Sequence, residues 1–312
     1  MSQSTLTFLK LGGSLITDKS RAYTARREII VRLADEVRQA LGERSSPDAA
    51  PDLNLLIGHG SGSFGHWAAK LYGTRQGVRT AAQWRGYAEV AASAARLNRI
   101  VTDAFLDAGV PVLSVQPSAS AHCHDYVLKH LDTRPIHAAL AQGLVPLVYG
   151  DIALDDVHGG TIISTEDIFL YLADELHPSR ILLLGEVAGV LDQDGTVIPH
   201  ITPADLPPLH PRHPGPCTPN VQGGGRRALG EALGGSEDVD VTGGMVDKVA
   251  RMVELVQRHP STHALIFTGT EPGLLRRVLR HTTAPPLSPP QAGGRLHALP
   301  SAWGGIGTLI TA

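Results

Sequence analysis

Six short apolar runs recur along this chain, and five of them give way at once to glycine. They read TLTFLKLGG (5–13), LNLLIGHG (53–60), VPVLSV (110–115), LVPLVYGD (144–151), ILLLGEVAGV (181–190) and HALIFTG (263–269). Runs of this length, rich in β-branched and aliphatic residues and closed by turn residues, are buried strands. Between them lie stretches with helical spacing. ARREIIVRLADEVRQAL (25–41) puts Ile29, Ile30, Leu33, Val37 and Leu41 on one face, and the alanine-rich 81–109 stops at Gly109. STEDIFLYLADEL (164–176) opens on a serine cap with acidic residues behind it, and GGMVDKVARMVELVQRH (243–259) starts directly from glycines.

Strands alternating with helices predict an α/β fold, a three-layer sandwich with a mostly parallel central sheet covered on both faces. In such sheets ligands bind outside the carboxyl ends of the strands. The glycine motifs of this chain fall at those ends. A coarse boundary falls near residue 177, where HPSR separates a helical stretch from the run at 181. Residues 199–236 and 283–294 are too rich in proline and glycine for regular elements and read as linkers or a flap.

What composition excludes is broad. With 27 Lys and Arg against 30 Asp and Glu the formal charge is −3, so nothing marks a nucleic-acid footprint. No apolar run is long enough to span a bilayer, and the first residues lack the pattern of a secretory signal; no membrane partner is expected. Cys123 and Cys217 stand in unrelated stretches, which predicts reduced thiols and a cytoplasmic setting. AHCHDY (121–126) gathers His122, Cys123, His124 and Asp125 but has no second ligand pair at zinc spacing, so it is read as a polar loop and no metal ligand is assigned.

The basic residues are almost all arginine. Only five lysines occur, at 10, 19, 70, 129 and 248, and Lys10, Lys19 and Lys248 sit in or beside glycine-rich turns. A compact ammonium suits a phosphate in a tight space better than a planar guanidinium does. Glycine lets a backbone approach an anion closely, and helix starts present N–H groups to it. Three loops offer this: 12–14, 60–66 and 242–245. No G-x-x-x-x-G-K-[ST] exists, which excludes a P-loop; no acidic residue follows at the spacing a dinucleotide fold requires; and no G-x-S-x-G elbow supports a serine hydrolase.

In order along the chain stand LKLGGSLITDK, GHGSGSFGH, VYGDIALDD, ISTEDIFLYLA, VTGGMVDKV, FTGTEPGLL and GIGTLIT. This set resembles the amino acid kinase superfamily, and within it the isopentenyl phosphate kinases, from about Phe8 to Thr311. The resemblance implies ATP with Mg2+, isopentenyl phosphate as acceptor, isopentenyl diphosphate as product in isoprenoid biosynthesis, and a homodimer. It implies an acceptor lobe at 1–177 and an ATP lobe at 178–312. It places Lys10 at the transferring phosphoryl group and Lys19 and Lys248 at nucleotide phosphates. Gly12, Gly13 and Ser14 become N–H donors, with Gly185, Gly243 and Gly244 also on the ATP side. Gly60, Gly62, Ser63, Gly65, Gly150 and Asp151 then shape the acceptor site, and His66 hydrogen-bonds the acceptor phosphate.

Two departures from the family pattern stand out. Ser164–Thr165–Glu166–Asp167 replaces S-G-D-D, so Glu166 takes the place of the aspartate that orients the lysines, one methylene longer. Gly185–Glu186–Val187–Ala188–Gly189 replaces an aspartate-containing turn near the adenine. Two other activities share parts of the pattern: a fosfomycin-type phosphonate kinase, and a non-catalytic nucleotide-binding regulator on the same fold.

Overall fold

All six apolar runs become strands of one sheet. The structure, a computed structural model, describes residues 5–42, 53–72, 74, 77–192, 194–206, 243–281 and 305–312. The strands are β1 (Thr5–Leu11), β2 (Leu53–His59), β3 (Val112–Ser114), β6 (Val145–Tyr149), β9 (Arg180–Gly185) and β11 (His263–Thr268). Two short strands, β10 (His200–Ile201) and β12 (Thr308–Ile310), complete an eight-stranded sheet in the order β10-β12-β11-β9-β1-β2-β6-β3. Every pairing is parallel except β11 with β12. The 199–236 stretch therefore does hold two short regular elements, the two-residue β10 and a 3-10 turn at Pro203–Asp205; its residues beyond 206, and all of 283–294, lie outside the described residues.

Period-two alternation sends side chains to both faces of this sheet. Phe8, Leu56, Val148, Ile181, Leu183, Ala264 and Ile266 face one core, while Leu9, Leu11, Leu55, Ile57, Leu182, Leu184, Leu265 and Phe267 face another. The first core is roofed by α6 (Thr165–Leu176) and α7 (Gly243–Arg258), the second by α2 (Arg27–Gly42), α4 (Ala81–Asp107) and α8 (Leu274–Arg280). The result is the three-layer α/β sandwich that the sequence predicts. Smaller helices α1 (Gly13–Ile16), α3 (Gly62–Tyr72) and α5 (Arg134–Ala141) follow strands directly or lead into them. No helix among the described residues is long and apolar enough to cross a membrane.

Local chemistry fixes the helix starts. Thr80 and Gln83 form a reciprocal capping box at α4, and Ser164 and Asp167 form one at α6.

One part of the fold is not legible in the alternation. A second, four-stranded sheet runs β5-β4-β7-β8, with β4 (His122–His124), β5 (Val127–His130), β7 (Asp151–Asp155) and β8 (Gly159–Ile163). The AHCHDY stretch is thus a strand with a tight turn rather than a loop. Cys123 points into the core, while half-buried His122 and exposed His124 both meet Asp156. The 177 boundary falls between α6 and β9, and the large sheet runs through it unbroken, since β9 pairs with β1.

Candidate active site

From β1 the chain leads outward in opposite directions, through β2 and β6 on one side and β9 and β11 on the other. The carboxyl end of β1 is therefore the switch point of the sheet, where open α/β sheets leave a crevice. The loops after β1 and β2 interlock there. A Cβ on Gly13 would lie 2.7 Å from Gly62 N, and one on Gly60 would lie 3.0 Å from Gly13 N. Gly62 has φ +48°, and a Cβ there would strike the Thr17 side chain. That Thr17 hydroxyl donates to Gly13 O at 2.6 Å and accepts from Ser63 N at 2.9 Å, tying the loops together. Side chains larger than hydrogen would force the two backbones apart.

Lys10, one residue before the end of β1, and Glu166, in the first turn of α6, meet as an ion pair in this crevice. Both side chains are less than a tenth exposed. Burial alone would push the Glu166 carboxyl up, but the ammonium groups of Lys10 and Lys248 and the hydrogen bond from Lys10 hold it below the usual range. Glu166 is thus ionised between two lysines drawn from opposite ends of the sequence. Its position in the first helical turn adds favourable dipole contact.

Behind the glycine loop lies a polar chain that the motif reading does not assign. His59 is fully buried and stacked on Tyr149, with 5.5 Å between ring centroids. Its Nδ1 lies 3.1 Å from Gly60 O and its Nε2 lies 3.2 Å from Asn98 Nδ2. These partners assign the neutral tautomer, with Nδ1–H donating and Nε2 accepting. Burial, with Lys10 nearby, pushes the His59 imidazole down to about 4. Asn98 in turn accepts from Ser114 Oγ at 2.5 Å. His59 O accepts from Thr165 Oγ1 at 2.7 Å and from Gly150 N at 3.0 Å. The residue thereby links β2, β6, α4 and α6. A polar Asn98 on the apolar stripe Ala94, Leu97, Val101 and Phe105 is the sequence signal that marks this network.

Beside the loop opens a pocket lined by Ser61, Gly65, Ala69, Val90, Ala94, Gly150, Asp151 and Ile162. Its polar members cluster at the glycine loop and the β6–β7 junction; Ala69, Val90, Ala94 and Ile162 form an apolar wall. Asp151 is 1% exposed. Its Oδ2 accepts from Ser118 N at 3.1 Å, whereas Oδ1 has no partner. Burial raises the Asp151 carboxyl above its ordinary range, against hydrogen bonds from Ser118 and Ile152 that lower it.

The structure brings Lys10, Glu166, Lys248, Gly12, Gly13, Ser14, Gly60, Gly62 and Gly185 around one crevice, at the ends of β1, β2 and β9 and the starts of α1, α6 and α7. Gly12 N–H is taken by Leu184 O at 2.8 Å, so Gly12 shapes the turn rather than donating to a ligand; Gly13 and Ser14 form the first turn of α1. Ser63 is buried, its hydroxyl facing the Thr24 backbone, with Thr24 N at 3.3 Å. Gly65, Gly150 and Asp151 line the pocket. Lys19 is exposed in the turn beyond α1. Gly243 and Gly244 begin α7. His66 lies on α3 close to the pocket residue Gly65, and its side chain lies outside the described residues. In the turn after β9, Glu186 pairs with Arg26.

A parallel sheet with interlocked glycine loops and a lysine–carboxylate pair at its switch point defines a phosphoryl-transfer protein of the α/β class. The chain belongs to the amino acid kinase family, whose pattern it matches over residues 5–267. Relatives along nearly its whole length are isopentenyl phosphate kinases. That of Haloferax volcanii is 34% identical over 280 residues, covering 87% of this chain and 98% of the relative. That of Methanothermobacter thermautotrophicus is 32% identical over 278 residues, covering 87% and 94%. A solved structure described as an isopentenyl phosphate kinase superimposes with a TM-score of 0.69 at 27% identity, covering 98% of this chain and all of that one.

Proposed function

We propose that the chain transfers the γ-phosphoryl group of ATP to isopentenyl phosphate, giving isopentenyl diphosphate and ADP. The observation that carries this reading is the buried Lys10–Glu166 pair set between two interlocked glycine loops, beside a pocket with a polar mouth and an apolar wall. The full-length isopentenyl phosphate kinase relatives supply the acceptor's identity.

A phosphate monoester is already nucleophilic at neutral pH, so the chemistry needs no strong base. The obstacle is repulsion between two polyanions, and the remedy is positioned positive charge in a site that excludes water. Lys10, held by Glu166, stands where the transferring group would pass. Lys248 and Lys19 would neutralise nucleotide phosphates, with Gly13, Ser14, Gly185, Gly243 and Gly244 letting those phosphates approach. Gly60, Gly62 and Ser63 keep the loop in shape; Gly65, Gly150 and Asp151 line the acceptor pocket; His66 would contact the acceptor phosphate. The pocket residues all precede 177, in keeping with an acceptor half at 1–177; of the nucleotide-side residues Gly185, Gly243, Gly244 and Lys248 fall in the half at 178–312, while Gly13, Ser14 and Lys19 come from the first half. Use of ATP suits a cytoplasmic enzyme, and by family likeness it acts as a homodimer.

Magnesium is the ion ATP ordinarily carries. Among the described residues no three His, Cys, Asp or Glu side chains converge to hold a metal ion. Magnesium bound with a nucleotide takes most of its ligands from phosphates and water, so Mg2+ would arrive with ATP and the roles above assign it no protein ligand.

The test is a coupled assay of ADP release with isopentenyl phosphate as acceptor. Acceptor-dependent turnover, reduced on the order of 10²–10³-fold in Lys10→Ala, is the expected result. Absence of turnover by the unsubstituted protein would remove the assignment.

A further inference from the structure

Asp151 sets a problem for any anion that enters the pocket. It lines the same pocket as the glycine-loop residues Ser61 and Gly65. One of its oxygens is occupied by Ser118 N–H, from the short turn before β4, and the other is buried without a partner. Buried polar atoms without partners are rare, because each forfeits its hydrogen bond to water. An orphan oxygen in the wall of a ligand pocket is explained when the ligand completes it. An ionised carboxylate there would repel a phosphate. A carboxylic acid would donate to it.

We propose that Asp151 meets the acceptor phosphate as a carboxylic acid, Oδ1–H donating to a phosphate oxygen that does not attack. The inference rests on the acceptor being a phosphate monoester, as argued above. Three features support it. Oδ2 already accepts from Ser118, which leaves Oδ1 to carry the proton. Burial favours the neutral form before any ligand arrives. A docked phosphate, being a like charge, favours it further. The titratable groups beside this carboxyl are Tyr87 from α4 and Tyr149 from β6; burial above all pushes both phenols upward, so both remain protonated donors rather than competing bases. The proton stays on the Asp151–phosphate pair throughout: one phosphate oxygen attacks the γ-phosphorus, the bond to ADP breaks, and no proton is released.

The experiment compares the unsubstituted protein with Asp151→Asn and Asp151→Leu. Asparagine keeps an acceptor for Ser118 and places N–H where the acid O–H would stand; leucine fills the space with neither. The expected loss in kcat/KM for isopentenyl phosphate is about 30-fold or more in Asp151→Leu, mostly in the acceptor KM, and no more than about fivefold in Asp151→Asn. The unsubstituted protein loses activity as pH rises and the acid form is lost. Asp151→Asn removes that alkaline fall, and the substrate's own ionisation cancels because it is common to both. Calorimetry of isopentenyl phosphate binding in buffers of different ionisation enthalpy gives a readout apart from turnover: proton uptake at neutral pH in the unsubstituted protein, and less in Asp151→Asn. Equal losses in the asparagine and leucine variants, or identical pH profiles for all three, would overturn the proposal while leaving the kinase assignment standing. If the unsubstituted protein neither binds nor phosphorylates isopentenyl phosphate, both fall together. Melting temperatures of all three proteins identify a variant that fails only because it unfolds. In that case the asparagine pH profile and the proton uptake of the unsubstituted protein decide.

Discussion

Lys10 and Glu166 hold each other in the crevice between β1 and α6, with neither side chain more than a tenth exposed. The pair joins the strand at the centre of the sheet to the first turn of a helix more than 150 residues later. A buried pair of this kind is costly to break from one side, because the remaining charge stays buried without compensation. Glu166→Gln is expected to lower stability by about 3–5 kcal/mol at pH 7, read from urea unfolding. The folded-state carboxyl lies below its ordinary value of 4.5, so its contribution is complete above that pH and fades as pH falls through the lower folded value. The gap between the two proteins therefore narrows below about pH 4. A gap that stays constant into acid would mean that Glu166 is not the ionised partner.

Replacing Lys10 by arginine keeps the charge and loses the shape. The side chain springs from a strand flanked by Gly58 on β2 and Leu183 on β9, and it is 6% exposed. A planar fork of five donors has no room there and cannot present a point charge to a moving phosphoryl group. Lys10→Arg is expected to lose kcat on the order of 10²–10³-fold, about as much as Lys10→Ala. Single-turnover kinetics, which isolate the chemical step, make the comparison; an arginine variant within tenfold of the parent would show that charge alone suffices.

The large sheet was legible because each of its principal strands announces itself as an apolar run closed by a turn, and because burial on both faces demands such runs. The small sheet was not. His122–Cys123–His124 carries one buried side chain between a half-buried and an exposed one, and over three residues that alternation looks like a polar loop. The lysines and glycines of the crevice were legible from composition and local pattern. His59 was not, because its role depends on Asn98, 39 residues on, and on Tyr149 on another strand. The orphan oxygen of Asp151 is likewise a three-dimensional fact: sequence places an aspartate after a strand, and only packing removes its water.

His59 and His263 link stability to pH. Burial pushes both imidazoles from 6.5 down to about 4, with Lys10 adding to the effect at His59 and Arg180 at His263. The unfolded chain therefore binds more protons than the folded one between these values, and stability falls as pH drops through that window. Two such groups contribute roughly 3 kcal/mol each to the fall. Urea midpoints at pH 7.5, 6 and 4.5 should decline steadily. His263→Gln should remove about half of the decline, since a neutral amide takes up no proton. A midpoint independent of pH over this range would show that both rings find room to charge in the folded protein.

Val90 and Ala94 line the pocket beside the glycine loop and are expected to set the length of acceptor tail that fits. Tyr87, a bulky residue one turn earlier on α4, is the alternative wall. Tyr87 instead packs its ring edge-on to Trp84, 5.3 Å between centroids, and lies over Gly160, where a Cβ would come within 2.7 Å of the ring. One turn on, Val90 and Ala94 face the pocket together with Ala69 and Ile162. Each buried methylene is worth about 0.8 kcal/mol, so removing the two valine methyls frees space worth roughly a tenfold change for a longer tail. Val90→Ala is expected to raise the ratio of kcat/KM for a ten-carbon over a five-carbon monophosphate by about tenfold. Ala94→Leu is expected to raise KM for the five-carbon acceptor by about tenfold or more while leaving KM for ATP in place, because it fills the same space. Tyr87→Ala should act on folding instead, at about 3 kcal/mol for a lost buried ring, with the chain-length ratio unchanged. Steady-state kinetics with both acceptors, alongside urea unfolding of each variant, separate these effects. A ratio that moves with Tyr87 and not with Val90 would relocate the tail to the far side of α4.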